Sequence, residues 1–282
     1  MNNILTINNG LMPKDVGVKS AGGGKSLQNT AEKIRRWVAD SRQQKLAEAA
    51  SQLKRFTANQ LLESLSNNEL AKLLPFMERV ELTGDEYVYQ PDDEIEFIYF
   101  PETAVLSEFQ ILEDGRTVEI AMTGHEGVTG ISAVFNGQQA LNWTQVSVAG
   151  TALKINTQLL REEFQRGGAL QAVFLDYINN YIGQISQRVI CNSYHTVEQR
   201  FCSWLLMLQD RKKSSKVPMT QEQIARFLGV HRPSVTQIAQ TLRRKKIINY
   251  IRGKISIVDR KKLENSACEC YEGIHKIAWN VM

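Results

Sequence analysis

The spacing of hydrophobic residues changes along the chain from a period of two to a helical period. Between residues 86 and 156, apolar and polar positions alternate in short runs that Gly, Pro, Asp and Asn separate. Such runs predict β-strands, and several of them at near-regular spacing favour a sandwich or a barrel. The Asp-Gly pair in EDGRT predicts a hairpin turn. The runs are EYVYQ, EFIYFP, AVLSEFQIL, TVEIAM, TQVSV and TALKIN.

Helical spacing flanks this region on both sides. Before it, six leucines predict one or two short helices: Leu61, Leu62, Leu65, Leu70, Leu73 and Leu74. After it, from residue 161 to residue 207, a helix carries a broad apolar stripe, and such a helix needs cover on more than one side. We expect one face to pack on the β-rich region and another on a second copy of the chain, with burial inside one subunit as the alternative. The stripe is Leu170, Phe174, Tyr177, Tyr181 and Ile185.

The stretch MTQEQIARFLGVHRPSVTQIAQTLRRKKII predicts two short helices joined by a tight turn. Thr220 is a good N-cap for a first helix that ends at Leu228, and Gly229 supplies the left-handed residue of the turn. The second helix begins near Arg232, where Pro233 is tolerated in the first turn. Two strands follow in IINYIRGKISIVD. This order predicts a winged helix-turn-helix.

Polar and basic side chains cover the outside of this motif. Val235, Ile238 and Leu242 form the buried stripe of the second helix, and its other positions are polar. Four basic residues follow one another at the end of the helix. One or two would be enough to interact with the helix dipole, so we expect the others to contact phosphates. We therefore predict phosphate contacts at Thr220, Gln221, Arg243, Arg244, Lys245, Arg252 and Lys254.

Composition and charge indicate the size of the protein, its kind of partner and its location. The chain has 282 residues, room for two domains with extensions. Residues 196–265 contain 16 Lys and Arg against 5 Asp and Glu, whereas the remainder contains 18 against 25. A basic segment on an acidic body favours a polyanionic partner, the alternative being a solvated charged face. Four irregularly spaced cysteines and the lack of an apolar run of about 18 residues predict a cytoplasmic protein with no membrane segment.

From about Phe56 to Leu263 the order of elements resembles the Crp/Fnr family, that of the cyclic AMP receptor protein. It is similar to a branch with IYFP, LEDGRTVEIAMTGHEGVTGI and TQEQIARFLGVHRPSVTQ at these points. The resemblance implies an α+β fold: an N-terminal β-roll, a long dimerisation helix and a C-terminal winged helix-turn-helix. It also implies a homodimeric transcription regulator that binds double-stranded DNA at a palindromic operator, with RNA polymerase as a further candidate partner. It places base-reading residues at Arg232, Ser234, Thr236 and Gln237, and the dimer contact at Phe174, Tyr177, Tyr181 and Ile185.

These inferences together predict six regions. They are a flexible tail at 1–30, a helical extension at 31–55, a cyclic-nucleotide-binding-like β-roll at 56–165, a dimerisation helix at 166–195, a winged helix-turn-helix at 196–263 and a C-terminal extension at 264–282.

The stretch GHEGVTGISAVFNGQQALNWTQV has the glycine spacing of a small-ligand pocket but contains no Lys or Arg. Relatives that bind cyclic nucleotides carry a Glu for the ribose and an Arg for the phosphate. The matching positions here are Ile131 and the pair Asn142 and Trp143. A buried phosphate without a cation is heavily penalised, so we predict an effector other than cyclic AMP, or none. The candidate pocket residues are Gly130, Ile131, Ser132, Asn142 and Trp143.

The sequence gives little indication of a metal site, a haem ligand or a catalytic site. Cys268 and Cys270 with His275 offer fewer ligands than a four-coordinate metal site needs, so we predict no metal and no cofactor. A lone histidine such as His125 or His195 is a poor sign of a haem ligand. No catalytic constellation stands out, which disfavours an enzyme. The second hypothesis is a ligand-sensing or protein-interaction module, and the basic segment favours DNA over it.

Overall fold

The computed structural model describes residues 56–135, 137, 139–251 and 253–279, all of which belong to one compact unit. The predicted tail 1–30, the predicted helical extension 31–55 and Arg252 lie outside the described residues. Within the described part of the chain, no helix is both long and apolar enough to cross a membrane.

The predicted short helices and strands form an antiparallel β-roll. Helices α1 (Gln60–Ser64) and α2 (Asn67–Leu73) begin at side-chain caps from Asn59 and Ser66, and all six leucines of this region are buried. The strands are β1 (Glu78–Leu82), β2 (Tyr87–Tyr89), β3 (Phe97–Pro101), β4 (Val105–Ile111), β5 (Thr117–Thr123), β6 (Trp143–Val148) and β7 (Gly150–Asn156). One sheet has the strand order β1-β7-β3 and the other β2-β6-β4-β5.

Helix α3 (Thr157–Gln165) leads into the long helix α4 (Ala169–Tyr194). One face of α4 packs on the β-roll: the Phe174 ring lies 6.2 Å from that of Phe100, and Tyr177 Oη donates to the Val128 carbonyl at 3.0 Å. The prediction that Phe174 and Tyr177 face a second copy is therefore wrong, because both are already buried in their own subunit.

The winged helix-turn-helix is confirmed. Thr196 caps α5 (Val197–Lys212), and Thr220 caps α6 (Gln221–Leu228). Gly229 adopts φ +65°, and α7 (Arg232–Arg244) begins with Pro233 in its first turn. The three-stranded wing sheet has the order β8-β10-β9, with β8 at Lys216–Pro218, β9 at Ile248–Ile251 and β10 at Lys254–Ile257.

Two further helices close the described chain. Helix α8 (Arg260–Ser266) packs on α5, and α9 (Cys270–Trp279) lies along α4. Helix α9 passes beside Gly183 of α4, where a Cβ would lie in ordinary contact with Ile277 Cδ1 at 3.4 Å. The long helix thus contacts both the β-roll and the C-terminal extension.

Candidate nucleic-acid interface and effector cavity

The second helix of the helix-turn-helix is held by an apolar face. Val235, Ala239 and Leu242 are buried in the core that α5 and α6 share with the wing. Ile238, predicted to be buried, is only half-buried at the edge of this core, and Ala239 takes the central place. This packing leaves the opposite face of α7 to solvent.

Two of the four predicted base-reading residues are exposed on that face. The side chain of Arg232 is 63% exposed and lies 3.9 Å from the Glu222 carboxylate, a distance at which an exposed pair is weak. Gln237 is also exposed. Ser234 and Thr236 are half-buried, and Thr236 Oγ1 donates to Gln221 Oε1 at 2.7 Å. Arg232 and Gln237 are therefore the side chains most available to a ligand.

Cations lie at the C-terminal end of α7 and on the wing. Arg243, Arg244 and Lys245 are exposed at the end of α7, and Lys254 is exposed where β10 begins. Lys245 has one acidic neighbour, Glu198, at 3.3 Å. The two polar phosphate candidates on α6 are less available, because Thr220 Oγ1 and the side chain of Gln221 make hydrogen bonds within the motif.

A groove of about 710 Å³ along the wing sheet adds two basic residues that were not predicted from the sequence. These two, Lys212 and Lys216, line the groove together with the predicted Lys254. Lys212 ends α5 and Lys216 begins β8, so the short loop between these elements brings them next to the wing. Their shared position was not apparent from spacing, because Lys254 comes from a different strand.

Inside the β-roll, four of the five predicted pocket residues line one cavity of about 230 Å³. These are Gly130, Ile131, Ser132 and Asn142. Trp143 does not line it, because successive side chains of a strand alternate: Thr144 faces the cavity, whereas the Trp143 ring lies 5.3 Å from that of Tyr87.

The cavity also contains a carboxylate that the sequence reasoning missed. Glu108 lies in its wall, and Tyr181 Oη of α4 donates to Glu108 Oε2 at 2.7 Å. Burial raises the pKa of Glu108 above its ordinary value, although hydrogen bonds from Tyr181 and Asn142 act in the opposite direction. Among the described lining residues there is no Lys or Arg. The nearby Arg161 donates a hydrogen bond from Nη2 to the Ala133 carbonyl at 2.6 Å.

A family model described as the Crp-like helix-turn-helix domain matches residues 199–266, from the start of α5 to the end of α8. The chain carries a Crp-like helix-turn-helix domain. The comparison with curated proteins gives no significant match.

Solved structures extend the likeness beyond this Crp-like domain, over 73% and 68% of the chain in two examples. A transcriptional regulator of the Crp/Fnr family from Eubacterium rectale is 14% identical, with 73% of this chain and 96% of that chain covered and a TM-score of 0.59. FixK2 from Bradyrhizobium japonicum is 16% identical, with 68% and 98% covered and a TM-score of 0.60. The predicted fold is confirmed. The family model thus identifies the helix-turn-helix domain, and the solved structures show that the fold is similar to that of Crp/Fnr regulators.

The Crp-like domain is docked on the β-roll of its own subunit. Gln223 Nε2 donates to Asp85 Oδ1 at 2.7 Å, and Thr117 Oγ1 donates to the Arg226 carbonyl at 2.8 Å. The Phe227 ring of α6 lies 6.2 Å from a β4 phenylalanine, within an apolar core that both parts share. This contact surface fixes the orientation of α7 relative to the β-roll.

Proposed function

We propose that the chain is a homodimeric, sequence-specific transcription regulator that binds double-stranded DNA through α7 and responds to no cyclic nucleotide. The observation that supports this best is the composition of the exposed α7 face. Two long hydrogen-bonding side chains stand near its beginning, with exposed cations at its end and at the wing. A helix with such a face suits the major groove, where base edges and phosphates are both within reach.

Base reading falls to Arg232 and Gln237. A guanidinium can donate two hydrogen bonds to the O6 and N7 acceptors of guanine, and a glutamine amide can pair with adenine. The weak pair between Arg232 and Glu222 costs little to break, so the arginine is available to a base. Ser234 and Thr236 lie deeper in the protein and have a secondary role.

Phosphate contacts fall to the exposed cations. Arg243, Arg244, Lys245 and Lys254 are exposed, and they would position the domain on DNA without reading sequence. Arg252 is assigned the same role from its place in the wing sequence. Each lost contact should weaken binding to all sequences alike.

A second copy is expected along α4. Three apolar side chains recur every seven residues on its solvent side: Leu175, Ile182 and Val189, which are 50%, 58% and 62% exposed. A seven-residue apolar repeat is the pattern of a two-helix coiled-coil seam, and we define these three residues as the α4 seam. A two-fold axis along the seam would place two α7 helices on one palindromic operator.

The β-roll cavity is proposed as an effector site for a ligand that donates hydrogen bonds. Glu108 would accept them, whereas a phosphate would meet this carboxylate without a compensating cation. The cavity wall includes Tyr181 and Ile185 of α4, so a ligand would touch the helix that carries the α4 seam. This contact gives the effector a direct route to the dimer.

The test is selection of bound fragments from random double-stranded DNA, followed by affinity measurements on the selected operator and its single-base variants. Arg232→Ala should cost about 1–3 kcal/mol and relax preference at one position per half-site. Arg243→Ala removes the same charge and serves as the matched control: it should weaken every sequence equally and reduce the salt slope by about 1 per subunit. Equal losses on all variants for Arg232→Ala would contradict the base-reading assignment, and no enrichment of any sequence would favour a protein-interaction module.

A further inference from the structure

Three cysteines and one histidine meet where α4 ends. Their ligand atoms, Cys191 Sγ, Cys268 Sγ, Cys270 Sγ and a ring nitrogen of His195, all lie within 4.8 Å of one another. The Sγ atoms of Cys191 and Cys268 are 3.5 Å apart, and Cys270 Sγ lies 3.4 Å from His195 Nδ1. We call these four residues the Cys₃His cluster.

Two of the separations are close to the edge length of a tetrahedron around one metal ion. With a metal–sulfur bond of about 2.3 Å, two tetrahedral sulfur ligands are about 3.8 Å apart, and a shorter metal–nitrogen bond brings nitrogen slightly closer. The observed separations of 3.5 and 3.4 Å need only small adjustments. Three thiolates and one imidazole form a ligand set typical of structural Zn²⁺.

The fold brings these ligands together from two distant segments. Cys191 lies in the last turn of α4, and His195, four residues later, is the C-cap of the same helix. Cys268 precedes α9 and Cys270 begins it. The three cysteines are almost completely buried, so an ion there would be shielded from water. Cys268 and Cys270 alone provide too few ligands for a metal site. The other two ligands come from residues more than seventy positions earlier in the chain.

A surrounding set of hydrogen bonds orients the ligands. Ser203 Oγ lies 3.1 Å from Cys268 Sγ, and Gln187 Nε2 donates to Cys270 Sγ at 3.1 Å. His195 Nε2 lies 3.3 Å from Glu269 Oε1, which leaves Nδ1 directed at the sulfur atoms. A carboxylate on the far nitrogen of a histidine is a common partner of metal-bound imidazole, because it fixes the tautomer and the ring orientation.

We propose that the Cys₃His cluster binds one Zn²⁺ ion, which fastens the C-terminal helix α9 to the junction between α4 and the Crp-like domain. His195 lies between α4 and α5, so the ion would hold this junction as well as α9. The proposal does not depend on the DNA-reading residues. His275, considered with the two C-terminal cysteines in the sequence, is not a ligand: its Nε2 lies 3.9 Å from Asp210.

The test uses the full chain, purified under reducing conditions. Elemental analysis should find one zinc per chain. After the zinc is removed by a chelator, the chain should bind one equivalent of Co²⁺ and show the visible absorption of tetrahedral, thiolate-bound cobalt. Cys268→Ala and His195→Ala should each lose the bound zinc or change this spectrum. The matched control is Cys202→Ala, because Cys202 is equally buried but lies outside the cluster, and it should retain one zinc.

One further variant separates metal binding from folding. Glu269→Gln changes an exposed residue that is not a ligand, so the chain should fold and still bind zinc, with affinity reduced about 10- to 100-fold in competition with a chromophoric chelator. The proposal is overturned if the reduced wild-type chain binds neither zinc nor cobalt stoichiometrically, or if Cys202→Ala loses metal as Cys268→Ala does. Mass spectrometry that finds Cys191 and Cys268 joined as a disulfide under these conditions would also overturn it.

Discussion

Replacing Ile182 by Asp should dissociate the proposed dimer while leaving the subunit folded. Ile182 is the central residue of the α4 seam and is 58% exposed in the subunit. Full burial of an isoleucine stabilises by about 1.5–3 kcal/mol, so burying the exposed part contributes roughly 1–2 kcal/mol per subunit. Both subunits lose this contribution in Ile182→Asp, and a loss of about 2–4 kcal/mol raises the dissociation constant about 30- to 700-fold. Two carboxylates facing each other across the seam weaken association further.

The assay is sedimentation velocity over a concentration series, with thermal unfolding measured in parallel. Val258→Asp is the matched control, because Val258 is 62% exposed but lies in the Crp-like domain rather than on α4. The control should dimerise as the wild type does, and both variants should unfold near the wild-type temperature. If Ile182→Asp dimerises with unchanged affinity, or if the wild type is a monomer at micromolar concentration, the assignment of the seam is refuted.

Three other predictions concern the β-roll and its contact with the helix-turn-helix. Calorimetric titration with cyclic AMP or cyclic GMP should give no saturable binding in the low micromolar range, and a single-site isotherm would contradict the reading of the cavity. Because burial raises the pKa of Glu108 in the folded chain, the free energy of unfolding should fall as the pH rises from 4.5, the ordinary pKa of a glutamate, through the raised pKa. Glu108→Gln should therefore be more stable than the wild type at pH 7 but not at pH 4, and a difference that does not change with pH would exclude this cause. Gly229→Ala should lose about 1–2 kcal/mol in urea unfolding, since φ is +65° and the new Cβ would lie 3.2 Å from the Thr117 carbonyl oxygen; no loss would contradict the strain.

The helix-turn-helix could be predicted from sequence because its determinants are local. Thr220 reaches the backbone of Gln223 three residues later, and Gly229 adopts its left-handed conformation at the position where the first helix ends. Each of these signals lies within a few residues of the feature it specifies. The same holds for the caps of the short helices before the β-roll.

Glu108 escaped prediction because a charged residue within a strand is normally assigned to the solvent side. The alternation of β4 places Glu108 on the same face as Leu106, which is buried inside the β-roll. Glu108 pairs with Thr144 in the register between β4 and β6, and both residues line the cavity. The hydroxyl that bonds to this carboxylate belongs to Tyr181, 73 residues away, so no local pattern could reveal its burial.

The faces of α4 escaped prediction for a different reason. Tyr177 and Tyr181 read as apolar positions suited to a dimer, but their hydroxyls bond to Val128 and Glu108, which lie 49 and 73 residues earlier. The Cys₃His cluster likewise joins positions 77 residues apart. Contacts over such distances depend on the whole fold, and no spacing rule within a helix can reveal them.

One helix therefore carries three surfaces that bear on function. Tyr181 borders the cavity, Ile182 lies on the seam, and Cys191 belongs to the Cys₃His cluster ten residues further on, about 15 Å along the helix axis. A ligand that breaks the hydrogen bond between Tyr181 and Glu108 would therefore act on the helix that also carries the proposed seam and the Cys₃His cluster. Because the cluster adjoins the start of the Crp-like domain, any shift of α4 that such a ligand causes would be passed to this domain through the junction, and a change in DNA affinity on effector binding would be the evidence for this coupling.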